Sequence, residues 1–120
     1  MFDEKLAARV RAYLAPQRNL REMGMFGGLC FLVEGKMAAG ILGDRLIARV
    51  EPEDQGALLR RRGVESFAFT GRPMTGVLVV SPGSLRTGKA LAEWLDRSLA
   101  RARRSQPTKR KARVRAWRVP

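Results

Sequence analysis

The stretch from Met25 to Val50, MFGGLCFLVEGKMAAGILGDRLIARV, most constrains what this chain can fold into. Glu34-Gly35 and Gly43-Asp44 interrupt apolar runs that are too short for helices. Each pair suits a two-residue turn, in which glycine takes positive φ without a Cβ clash. The pattern predicts three antiparallel strands, about Leu29 to Glu34, Lys36 to Leu42 and Arg45 to Val50. In the third, Leu46, Ala48 and Val50 point one way, and Arg45, Ile47 and Arg49 the other, so one sheet face is the wetter. Hairpins of this kind build an antiparallel sheet, not a parallel one.

The flanks supply helices to cover it. Asp3 to Ala15 carries Leu6, Val10, Tyr13 and Leu14 on one helical face, with Asp3 as N-cap and Pro16 as stop. Gln17 to Glu22 reads as a polar connector. Pro52 to Arg62 reads as a helix opened by Pro52, Glu53 and Asp54 and closed by Arg60, Arg61, Arg62 and Gly63; the arginines suit the negative end of its dipole. Ser66 to Thr70 and Gly76 to Val80 read as strands joined by a TGRPMT turn. Thr87 to Arg103 is an amphipathic helix in which Trp94 belongs to a core stripe with Leu91, Leu95 and Leu99. The order α-β-β-β-α-β-β-α defines an α+β fold, a central antiparallel sheet of about five strands with helices packed on it.

Length and charge divide the chain into two parts. Its 120 residues suit one domain with its own core. Of the net +13, residues 101–120 contribute +9, from Arg101, Arg103, Arg104, Lys109, Arg110, Lys111, Arg113, Arg115 and Arg118. We therefore expect a folded domain over 1–104 and a basic, disordered tail over 105–120. The single cysteine, Cys30, sits in an apolar run as a buried thiol, and no histidine is present. Histidine-based nucleophile relays, disulfides and cysteine or histidine metal sites are thereby excluded, and neither metal nor cofactor is expected. No apolar run spans a bilayer and the acidic start is unlike a signal peptide, which points to the cytoplasm and away from membranes.

One motif asks for nucleotide. Gly83 and Gly88-Lys89 stand at the spacing of a phosphate-binding loop behind an apolar strand. The hydroxyl that would hold magnesium is replaced by Ala90, and the strand order is hairpin-like. Ser84 or Thr87 is instead a helix N-cap.

Met25-Phe26-Gly27-Gly28, Gly35-Lys36-Met37, Gly43-Asp44-Arg45-Leu46 and Phe69-Thr70-Gly71-Arg72-Pro73-Met74 occur in order and together resemble the amino-terminal domain of the TfoX/Sxy family of bacterial competence regulators. The resemblance runs from about Glu22 to Arg101. It implies an α+β domain and a role in competence gene expression through transcription machinery, without catalysis. It brings no catalytic residues. Relatives often carry cysteines where Ala38-Ala39 stand here. Full-length competence regulators continue into a second helical domain, where this chain has its basic tail.

From the residues themselves, Gly27-Gly28 serve tight backbone entry into a strand, whereas Arg72 on an exposed turn can present a guanidinium to carboxylate or phosphate. Arg45, Arg49 and Arg72 are the candidates for partner binding. The leading reading is a non-enzymatic regulatory domain that holds nucleic acid nonspecifically through Arg101, Arg103, Arg104 and the tail cations, and a protein partner through its body. A pure protein-interaction module is the alternative. An enzyme built on Glu34, Asp44 or Glu51 comes last, because no carboxylate pair stands at a diagnostic spacing. Exposed edge strands leave a homodimer open.

Overall fold

The computed structural model describes residues 2–25, 27–69 and 72–104, and of Phe69, Arg72 and Pro73 the backbone alone. Helix α1 (Glu4–Leu14) is followed by β1 (Leu20–Met25), β2 (Gly28–Val33), β3 (Lys36–Leu42) and β4 (Arg45–Arg49). A 3-10 turn, Pro52–Asp54, leads into α2 (Gln55–Leu59), then come β5 (Val64–Phe69), β6 (Arg72–Val80) and α3 (Gly88–Arg104). The sheet is antiparallel throughout, in the order β1-β2-β3-β4-β6-β5.

The α+β class and the element order stand, with six strands in place of about five. The extra one is β1, in the stretch read as a connector. Five of its six residues are exposed, so it carries no apolar alternation, and only its pairing with β2 reveals it. The helix expected over Pro52 to Arg62 shrinks to a 3-10 turn and one short α-helix. Gly56 early in that segment weakens it, although Gly63 ends it at φ +79 as expected. Strand β6 begins at Arg72, opposite Phe69, so Arg72 and Pro73 lie in a strand and not on a turn. The β4 pairing stops at Val77, which leaves Pro73 with β5 alone and its missing N–H without cost to a second ladder.

All three helices contribute to one core on one sheet face. Leu6, Val10 and Leu14 of α1, Leu58 of α2 and Leu91, Trp94, Leu95 and Leu99 of α3 meet Phe31, Ile41, Leu46, Ala48, Leu78 and Val80 there. Each large side chain so buried contributes about 1.5–3 kcal/mol. The opposite face is drier than the alternation in β4 suggested. Ile47 is fully buried in a second cluster with Phe67, Val77 and Val79, while Arg45 is exposed and Arg49 half-buried.

A bulge connects the sheet to α3. Between Phe31↔Ala39 and Leu32↔Met37 the register skips Ala38, so Ala38 and Ala39 both belong to the helix-covered core. Beyond it, the Arg49 amide donates to Ser98 Oγ of α3 at 2.8 Å, and that hydroxyl is wholly buried. At the other end of β4 the chain start is tied down, with the Asp3 amide donating to the Gly43 carbonyl at 2.7 Å.

Cys30 is buried as expected, and burial pushes its thiol up to about 11. The folded protein should therefore give almost no reaction with an aromatic disulfide reagent at pH 8, and one equivalent in denaturant. Rapid labelling of the native chain would contradict the structural role assigned to this thiol.

Candidate nucleic-acid interface

Antiparallel connection decides which side chains meet. Because β4 and β6 run opposite ways, and β2 turns into β3 at Glu34-Gly35, one end of the sheet collects several segments. The link between α1 and β1, the β2–β3 hairpin, the end of β4 and the last turns of α3 all converge there. The α1–β1 link, the β2–β3 hairpin and α3 enclose a cleft of about 200 Å³ lined by Gln17, Arg18, Val33, Glu34, Lys36, Leu99, Ala102 and Arg103. Val33, Leu99 and Ala102 form an apolar floor, and Arg18, Lys36 and Arg103 bring three cations against the single carboxylate of Glu34.

Arg101 and Arg104 share the last turn of α3 with Arg103, where the helix dipole favours positive charge. Arg103 Nη2 donates to Gln17 Oε1 at 3.3 Å, tying the helix end to the α1–β1 link. Arg104 Nη1 stands 3.2 Å from Glu51 Oε2. That oxygen is buried and no N–H is aligned on it for a hydrogen bond, so the contact is coulombic and leaves most of the Arg104 side chain exposed. Arg49 Nη1 donates to the Met37 carbonyl at 3.3 Å; burial first, then repulsion from Arg101, lowers the pKa of Arg49.

The structure thus brings Arg49, a partner candidate, next to Arg101, a nucleic-acid candidate. Arg45 stands at the far end of β4, by the Gly43-Asp44 turn. Arg72 starts β6 in the β5–β6 hairpin, beyond the Arg49 end of β4, but its side chain is not described. Lys109, Arg110, Lys111, Arg113, Arg115 and Arg118 lie outside the described residues. Arg18 and Lys36 escaped the sequence reading. Lys36 directly follows the predicted turn, which placed it at a hairpin end; only tertiary docking shows that α3 ends there too.

The glycine-lysine segment is no phosphate cradle. Residues 82–85 form a 3-10 turn, Ser84 Oγ donates to the Arg62 carbonyl at 2.8 Å, and Thr87 Oγ1 accepts from the Ala90 amide at 3.0 Å. Thr87 is therefore the N-cap of α3. Arg9 Nη2 occupies the Leu85 carbonyl at 2.7 Å.

Nor do carboxylates assemble. Asp44 sits at the opposite end of the sheet from Glu34 and Glu51, and Glu51 faces Arg104. Among the described residues no group of three or more Asp, Glu, His or Cys is placed to hold a metal ion.

The pattern of turns, the bulge at Ala38 and the hairpin at Gly27 now stand beside one decisive comparison. A family model described as the TfoX N-terminal domain matches residues 12–102. The chain belongs to the TfoX N-terminal domain family. The match covers all six strands, α2 and nearly all of α3, and so includes both the cleft and the face opposite the helices. Neither a curated protein nor a solved structure gives a significant match. Of the nine cations in residues 101–120 of this TfoX N-terminal domain, Arg101 falls inside the matched region and the other eight follow it. Among the described residues no helix is long and apolar enough to cross a membrane.

Proposed function

We propose that this TfoX N-terminal domain is a non-enzymatic accessory factor of competence gene expression in the cytoplasm. It holds nucleic acid through the cationic end of its sheet and a protein partner through its body. One observation carries the nucleic-acid part. Arg18, Lys36, Arg101, Arg103 and Arg104, from three separate segments, gather where the chain passes into residues 105–120 with six further Lys and Arg. Phosphate contacts of this kind position without reading sequence, so specificity falls to the partner.

Salt is the test. If about six cations engage duplex DNA, log affinity should fall with log salt at a slope of about −5. Replacing Lys109, Arg110 and Lys111 by Gln in the full chain should make that slope shallower by about 3. Anisotropy titrations of the full chain and this variant measure both. A salt-independent affinity would overturn the reading, and an unchanged slope in the variant would move the contact to the cleft cations.

The partner part of the reading has its support on the other sheet face. Met23, Met25 and Met74 stay 46%, 41% and 45% exposed and are, with Tyr13, the large apolar side chains exposed among the described residues. Flexible thioethers of this kind suit protein contact.

A further inference from the structure

We propose that β1 pairs with β1 of a second copy of this chain, joining the two six-stranded sheets across a two-fold axis at Met23. Four observations carry this. First, β1 lies at the sheet edge and pairs with β2 alone; on its outer side no backbone group has a backbone partner among the described residues. Such a row of free N–H and C=O groups is a template for another strand.

Second, of the devices that blunt edges β1 has only its two charges, Arg21 and the Glu22 paired with Arg11. Its sequence LREMGM has neither proline nor lysine, and its register runs unbroken from Leu20↔Val33 to Met25↔Gly28. The opposite edge, β5, is irregular between Ser66 and Ala68.

Third, two of the four large apolar side chains exposed among the described residues, Met23 and Met25, lie on this strand. Met23 and Met25 stand opposite Cys30 and Gly28, on the face away from the helices. Glu22 points to the helix side, where it accepts from Arg11 at 2.6 and 2.9 Å; these bonds hold its carboxyl below the usual carboxylate range.

Fourth, the strand complements itself with the axis at Met23. A two-fold axis normal to the sheet keeps each side chain on its own face, so only registers that pair like faces are open. With Met23 opposite Met23, Arg21 lies opposite Met25 and Glu22 opposite Gly24. Methionines meet at the centre, the arginine stem runs along a thioether, and no like charges oppose. Shifting the axis to Glu22 sets two carboxylates face to face. This inference rests on the strand alone and stands or falls apart from nucleic-acid binding.

The register makes the test specific. Opposed Met23 Cβ atoms would lie about 5 Å apart, within reach of a short thiol cross-linker. Full-length Met23→Cys should cross-link to itself on oxidation or with a short bis-maleimide. Arg21→Cys alone should not, since its mate is displaced by four residues, but a mixture of Arg21→Cys and Met25→Cys should. The wild-type chain, with Cys30 buried, is the blank. Sedimentation should show a dimer at micromolar concentration, and Met23→Lys, at an exposed position, should stay folded and weaken it at least tenfold. A monomeric wild-type chain overturns the proposal. So does a dimer that survives Met23→Lys or fails to cross-link at Met23, since another surface or another partner strand would then be at work.

Discussion

Gly28→Ala should cost about 3 kcal/mol or more, a large fraction of the stability of a domain of this size. A Cβ at Gly28 would lie far inside contact distance of the Ile41 carbonyl oxygen, with the Ile41 carbonyl carbon and Leu42 Cα close behind. All three are backbone atoms of β3, so no rotamer change relieves the clash. The β2–β3 ladder, which carries Phe31 and Ile41 into the core, must itself move. Gly27 next door is the control. Its φ of +80 strains any residue with a side chain, but nothing lies within 4 Å of its Cβ position. Gly27→Ala should therefore cost only about 1–2 kcal/mol. Urea unfolding of the two variants measures the contrast. Equal losses would mean that conformation alone explains both glycines and that the close approach to β3 relaxes freely.

That pair of glycines shows what was legible in the sequence. Turn chemistry was: Gly35, Gly43 and Gly63 take positive φ where a turn or a helix end was expected, and Gly27 does so at the expected entry to a strand. Apolar alternation was legible in part: Leu46, Ala48 and Val50 enter the core as their spacing requires, but Ile47 on the other face is buried as well. β1 was hidden because an edge strand with exposed side chains obeys no burial pattern. The short α2 was hidden because its end signals are those of a longer helix. There Arg61 does not simply face solvent; it stands 5.5 Å over the Trp94 ring and 3.0 Å from Glu93.

The candidate site was legible as charge and illegible as place. Nine cations near the chain's end would suit a polyanion, but the sequence cannot say which segments stand beside them. Arg18 and Lys36 join because the α1–β1 link and the β2–β3 hairpin finish at the same end of the sheet as α3. Arg45 and Arg49, alternate residues of one strand face, end up in different company because they occupy opposite ends of β4. The P-loop spacing was rejected on chemistry, by the missing hydroxyl at Ala90. The structure supplies the positive reason: the hydroxyls of Ser84 and Thr87 are engaged in closing the loop and capping α3.

Trp94→Ala should destabilise the fold by about 3–5 kcal/mol, and Trp94→Phe by much less. The ring is 2% exposed within the main core, on the face α3 turns to the sheet. Its loss opens a cavity and removes the surface under Arg61, which shares Glu93 with Arg97 at 3.2 Å; Arg97 in turn lies 3.6 Å from Asp54. These partly exposed ion pairs add little by themselves, so the cavity dominates. The variants also separate two roles that a tryptophan in a nucleic-acid-binding protein could play. A stacking platform gives up about 1–3 kcal/mol of single-strand affinity per ring when truncated, whereas a buried core ring gives up stability. We expect Trp94→Phe to leave salt-dependent DNA affinity unchanged while lowering the urea midpoint. If Trp94→Ala kept the wild-type midpoint but lost nucleic-acid binding, the ring would have to reach solvent. The contact surface would then be the α2–α3 side of the molecule, not the cationic end of the sheet.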